Sequence, residues 1–71
     1  MKKKVLIEGM SCQHCVNHVN GALSELNGVT KVIVNLEGNY AELEANSDVK
    51  DEDINFAIED AGYEVVKIES L

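Results

Sequence analysis

Proline and tryptophan are absent from the 71-residue chain, there are only one phenylalanine and two tyrosines, and six cations face thirteen carboxylates. Each shortage excludes something. A formal charge of −7 argues against nucleic acid as a partner, because binding phosphates needs a positive surface to displace counterions. The same sign of charge argues against anionic membranes. Apolar runs are short, Val32-Ile33-Val34 being typical, and none could span a bilayer. With no proline, low-complexity tract or linker, residues 1–71 read as one domain. Lys2-Lys3-Lys4 is followed by only Val5-Leu6-Ile7 before Glu8, short of the about 7–15 apolar residues of a secretory signal. The expectation is a cytoplasmic protein whose lysines form a solvated strand entry.

Cysteine is also scarce. A core this small supplies at most about 3–5 kcal/mol, and small domains often add a disulfide or a metal. The two cysteines, Cys12 and Cys15, lie so close that a bond between them would constrain the unfolded chain very little. In a reducing compartment such a pair points to metal binding or redox chemistry instead.

The apolar fraction of 45% is that of a globular chain, and its periodicity gives the elements. Lys3 to Glu8 reads as a strand with Val5 and Ile7 on one face. From Cys12 or Gln13 to Asn27 the steps become helical, through Val16, Val19, Leu23 and Leu26, with Gly28 as the stop. Gly21 inside this helix costs about 1 kcal/mol relative to alanine and raises the question of a close approach there. Thr30 to Glu37 alternates as a second strand, Gly38-Asn39 signals a two-residue hairpin, and Tyr40 to Ala45 forms the third strand. Asn46-Ser47-Asp48 reads as loop.

A second helix begins near Lys50 or Asp51, with Asp51, Glu52 and Asp53 at its positive end. Its inner face is Ile54, Ala57, Ile58 and Ala61, and Phe56 is expected to lie off that face as a partly covered ring, or else as a docking contact. Gly62 ends the helix, and Tyr63 to Ile68 is the last strand, with either Val65 or the Val66/Ile68 pair inward. The order β-α-β-β-α-β predicts an α+β ferredoxin-like sandwich: a four-stranded antiparallel sheet with two helices on one face.

The chemistry is concentrated in Gly9-Met10-Ser11-Cys12-Gln13-His14-Cys15. Cys12 falls in the loop after a strand and Cys15 in the first turn of a helix. Two intervening residues let both sulfurs converge, and the unpaired N–H groups and partial positive charge of a helix start favour thiolate. Thiolates select Cu(I), zinc or iron–sulfur clusters. Structural zinc usually takes four ligands and a cluster four cysteines, so a two-sulfur site favours Cu(I). His14 reads as an exposed spacer and His18 as an exposed residue one helical turn above the site, with ligation as the alternative for each. Met10 reads as an apolar plug under the loop rather than as a thioether ligand.

With Gly28-Val29, Val34-Asn35-Leu36-Glu37, Ala57-Ile58-Glu59-Asp60 and Gly62-Tyr63 added, essentially the whole chain resembles the heavy-metal-associated domain family, and within it the small bacterial copper chaperones of the CopZ type. The resemblance implies a carrier rather than an enzyme. One Cu(I) would be held by Cys12 and Cys15, with Met10, Ser11, His14 and Tyr63 around the sulfurs. Delivery would go by thiolate exchange to the metal-binding domain of a copper-transporting P-type ATPase, with a copper-responsive repressor as a further partner. Tyr63 would tune exposure of the site. The resemblance also implies a monomer without metal and, as in some members, a copper-linked dimer. The acidic charge favours a locally basic docking face.

Two alternatives stand beside this. The same module could carry another soft metal, mercury or zinc. A thiol–disulfide oxidoreductase shares the strand–Cys-x-x-Cys–helix arrangement, but such enzymes resemble a longer chain with a cis-proline facing the site, and proline is missing here.

Overall fold

The computed structural model describes residues 1–46 and 49–71. The elements are β1 (Lys2–Glu8), α1 (Gln13–Ser24), β2 (Val29–Asn35), β3 (Tyr40–Ala45), α2 (Asp51–Asp60) and β4 (Glu64–Ser70). The four strands form one sheet in the order β2-β3-β1-β4, with every neighbouring pair antiparallel. This is the ferredoxin-like sandwich expected from the element order. Val5 and Ile7 of β1 and Ala41 and Leu43 of β3 share one buried cluster with Val19 and Leu23 of α1 and Ile54 and Ile58 of α2, as the two periodicities require. Among the described residues no helix is long and apolar enough to cross a membrane.

Several boundaries differ from expectation, each for a local reason. Helix α1 stops at Ser24 rather than Asn27. Leu26 N–H then donates to the Leu23 carbonyl and Val29 N–H to the Leu26 carbonyl, both at 3.2 Å. These turns keep Leu26 packed against the core, so the apolar spacing outlasts the helix. The space around Gly21 is open, and no close approach accounts for it.

Strand β2 ends at Asn35, two residues early, and 36–39 form a four-residue turn in place of the two-residue hairpin. The Asn35 side-chain oxygen accepts from Gly38 N–H at 2.7 Å, and Asn39 takes a left-handed φ of 56°. A Cβ at Gly38 would fall 2.5 Å from the Tyr40 ring, so any other residue there would have to push that ring aside. Leu36 leaves the strand and still packs on the core.

Strand β4 runs from Glu64 to Ser70, starting one residue late and ending two residues late. It carries a bulge opposite β1: Leu6 pairs with Lys67 and Ile7 with Val65, so Val66 has no partner. The bulge turns both Val65 and Ile68 toward the core and leaves Val66 61% exposed. Strand β2 has a second register shift, between Val29 and Lys31. Phe56 is 71% exposed rather than partly covered. Of the loop expected at Asn46-Ser47-Asp48, Asn46 forms a bend, and Ser47 and Asp48 lie outside the described residues.

The antiparallel sheet puts the two helix starts at opposite ends. Lys3, near the start of β1, reaches α2, donating to the Val49 carbonyl at 2.9 Å and pairing with Asp51 at 2.5 Å. The far end of β1 leads into α1.

Candidate metal centre

The loop from β1 to α1 is fixed by a glycine and a methionine. Gly9 has a φ of +105°, a conformation open to glycine and costly for other residues. Met10 is 7% exposed and belongs to the core cluster. Its thioether is therefore packed under the loop, and the apolar side chain ties down the segment that follows. Ser11, Cys12, Gln13 and His14 are all exposed.

Cys12 sits at the start of α1 in an extended conformation, φ −160° and ψ 176°. Its carbonyl accepts from the N–H groups of Cys15, at 3.0 Å, and Val16, at 3.3 Å. The first turn contains no acidic residue and no side-chain cap. The positive pole of the helix is left to the two sulfurs. Both cysteines are free, Cys12 exposed and Cys15 half-buried against the core. Their Sγ atoms are 3.9 Å apart, and Ser11 Oγ is 3.9 Å from Cys15 Sγ.

Tyr63 reaches this site from the end of α2. Gly62, with a φ of +97°, turns the chain, and Tyr63 N–H donates to the Ile58 carbonyl at 3.1 Å. The ring lies along Gly9, where a Cβ would stand 3.5 Å from Cδ1. The Tyr63 hydroxyl is the first cause of a Cys15 pKa lowered from 9.0 to about 6; hydrogen bonding from the Ser11 backbone adds to it, and partial burial opposes it. The same bond pushes the Tyr63 hydroxyl up to about 12, so it stays protonated and able to donate. At neutral pH Cys15 is thus largely thiolate.

The structure brings Cys12, Cys15, Ser11 and Tyr63 together. It leaves His14 exposed at the helix start and puts Met10 beneath the loop. It adds His18, whose Nδ1 is 3.3 Å from the Tyr63 hydroxyl. Sequence gave a hint of this only in the three-residue step from Cys15 to His18, which places both on one side of a helix. The contact with Tyr63 spans 45 positions and has no local signal. Among the described residues no group of three His, Cys, Asp or Glu side chains converges to hold a metal ion.

What remains is a two-sulfur site. With metal–sulfur bonds of about 2.3 Å each, a separation of 3.9 Å lets one ion bond both sulfurs without movement of the helix. A soft cation content with few ligands suits such a pair. Zinc or an iron–sulfur cluster would call for ligands that this site does not bring.

Comparison with known proteins gives the same direction. The sequence profile of the heavy-metal-associated domain matches residues 4–64. The copper chaperone CopZ of Bacillus subtilis is 49% identical over 69 residues, covering 94% of this chain and all of that protein. Among solved structures, a CopZ metallochaperone superposes with a TM-score of 0.87 at 40% identity, covering 93% of this chain and all of the other. A copper-binding domain from HMA7, a P-type ATPase, superposes at 0.84 with 42% identity, covering 99% and 100%.

Proposed function

The chain belongs to the heavy-metal-associated domain family, whose copper-chaperone members are carriers and not enzymes, and from that premise we propose that it carries Cu(I) between proteins. The observation that supports this most directly is the pair of free sulfurs 3.9 Å apart at the uncapped start of α1, with no third ligand converging among the described residues. Cys12 and Cys15 are the ligands. Ser11 and Tyr63 surround the sulfurs, Met10 anchors the loop from below, and His14 stays outside the coordination.

Delivery goes by ligand exchange. A thiolate of the acceptor bonds the metal while both cysteines still hold it. One metal–sulfur bond then breaks, and the second follows after another acceptor sulfur has bonded. The ion is never without sulfur, and no bond is broken before its replacement forms. A two-coordinate site near the surface leaves room for that third sulfur. The acceptor is the metal-binding domain of a copper-transporting P-type ATPase, a choice supported by the likeness to such a domain. With a charge of −7 on this chain, the acceptor's docking face is locally basic. A copper-responsive repressor receives metal by the same exchange, and a second copy of the chain can supply the third sulfur in a copper-linked dimer. The setting is a reducing compartment, the cytoplasm, where the thiols persist.

The test is anaerobic titration with Cu(I) against a competing chelator. The native chain is expected to hold one ion tightly. Cys12→Ser and Cys15→Ser are each expected to lose more than the about 100-fold that removal of a ligand's supporting partner costs, with unchanged far-ultraviolet circular dichroism. Full affinity in either variant would overturn the assignment.

A further inference from the structure

We propose that Phe56 anchors a docking surface for a basic protein segment, taking an arginine side chain over its ring. The surface lies on the helical layer, apart from the two sulfurs, and needs no copper.

Phe56 is 71% exposed, whereas Tyr40 and Tyr63 are half-buried. Its ring borders a groove of about 250 Å³ between the helices, lined also by Ala22, Leu26 and Ala57 and by the carboxylates Glu25 and Asp60. Ala22 stands seven residues beyond Cys15 on α1, about 10 Å along the helix axis.

The neighbours of Phe56 on the helix surface, three and four residues away in each direction, are Glu52, Asp53, Glu59 and Asp60. Among the described residues none of the four pairs with a cation. Glu52 and Asp53 suit the positive start of α2. Glu59 and Asp60 do not: they stand in its last turn, at the negative pole, with no basic residue there to offset them. Helix stability gives no reason for that pair, and a cation brought by a partner does.

The distribution of charge points to the same face. The strands hold five lysines and five glutamates, so the sheet is balanced. Helix α2 holds five carboxylates and no cation, most of the net −7. A second copy would set one such face against another, and like charges oppose that. Arginine fits instead. Its guanidinium stacks on an aromatic ring while its N–H groups pair with carboxylates alongside, and its aliphatic stem covers apolar surface.

The test uses the metal-free, reduced chain, so the copper reading stands or falls separately. Amide NMR shifts are followed against a short capped peptide of arginine and leucine in a glycine–serine frame, and against its lysine and citrulline forms. Saturable shifts are expected at Phe56, Ala57 and Asp60, and none at Cys12 or Cys15. The citrulline form, planar but uncharged, should not bind, and the lysine form should bind about threefold more weakly. Phe56→Ala should weaken the arginine peptide about threefold, and Phe56→Tyr, which keeps a ring, should restore it. Glu59→Gln with Asp60→Asn should weaken it by about as much without lowering the unfolding midpoint. No binding, shifts centred on the sheet or the sulfurs, equal binding of the lysine or citrulline form, or an affinity that Phe56→Ala leaves unchanged overturns the proposal. A lowered midpoint would give Glu59 and Asp60 a structural duty and overturn it too. Self-association of the native chain that Phe56→Ala abolishes would assign the face to a second copy instead.

Discussion

Helix α2 opens with Asp51, Glu52 and Asp53, whereas α1 opens without a single acidic residue, and neither has a side-chain cap. Both starts present unpaired N–H groups and a partial positive charge. At α2 the three carboxylates neutralise that pole, and Lys3 crosses from β1 to the Val49 carbonyl and Asp51. At α1 the pole is left to sulfur, and the lowered Cys15 pKa draws mainly on a donor from elsewhere in the chain, Tyr63. The two strand–helix–strand halves thus share an architecture and divide the work. One helix start is neutralised by carboxylates of its own first turn, and the other leaves its pole beside two free sulfurs.

That contrast can be broken at Tyr63 with the largest effect. Tyr63→Phe removes the leading cause of the lowered Cys15 pKa, so the thiol midpoint should climb from about 6 toward 9.0. Alkylation rate against pH in a Cys12→Ser background reads it. Folding depresses this pKa, so the thiolate contributes stability that is complete above 9.0 and lost as pH falls through about 6. Unfolding midpoints of the native chain should therefore rise across that window, and Tyr63→Phe should flatten the rise. A smaller effect is expected at the other helix start. Lys3→Met loses the bond to Val49 and should cost about 1 kcal/mol in denaturant unfolding, because the pair with the exposed Asp51 adds little. The Cys15 midpoint should not move, as the two starts are at opposite ends.

Smallest is Gln13→Glu, which gives α1 the acidic first turn that α2 has. Helix stability should gain about 0.3–1 kcal/mol, while the new charge beside the sulfurs nudges the Cys15 midpoint upward. An unchanged or falling midpoint would show that the empty pole of α1 does nothing for the thiolate.

The element order was legible because the periods differ so plainly, two through Val32 and Val34, and three to four through Val19 and Leu23. Element ends were less so. Leu26 keeps the helical spacing from inside a turn, and Leu36 keeps the strand alternation after the strand has ended. Periodicity records which side of the chain meets the core, and both residues stay on that side. The inward choice between Val65 and Val66/Ile68 had no answer at period two, since the bulge at Val66 makes Val65 and Ile68 both correct. At the site, the convergence of Cys12 and Cys15 followed from their spacing. The approach of Tyr63 came only through the family resemblance. Its contact with His18 was invisible because it joins α1 to the end of α2 across 45 residues.

The irregularities of the outer strands have a consequence for molecules that must meet often. Strands β2 and β4 are the two edges of the sheet, each carries a register shift, and each presents a lysine, Lys31 and Lys67. Kinked and charged margins resist zippering onto the margin of a neighbour. A crowded population of such carriers can collide without growing into a shared ribbon, which keeps an encounter brief enough to be repeated with the next molecule.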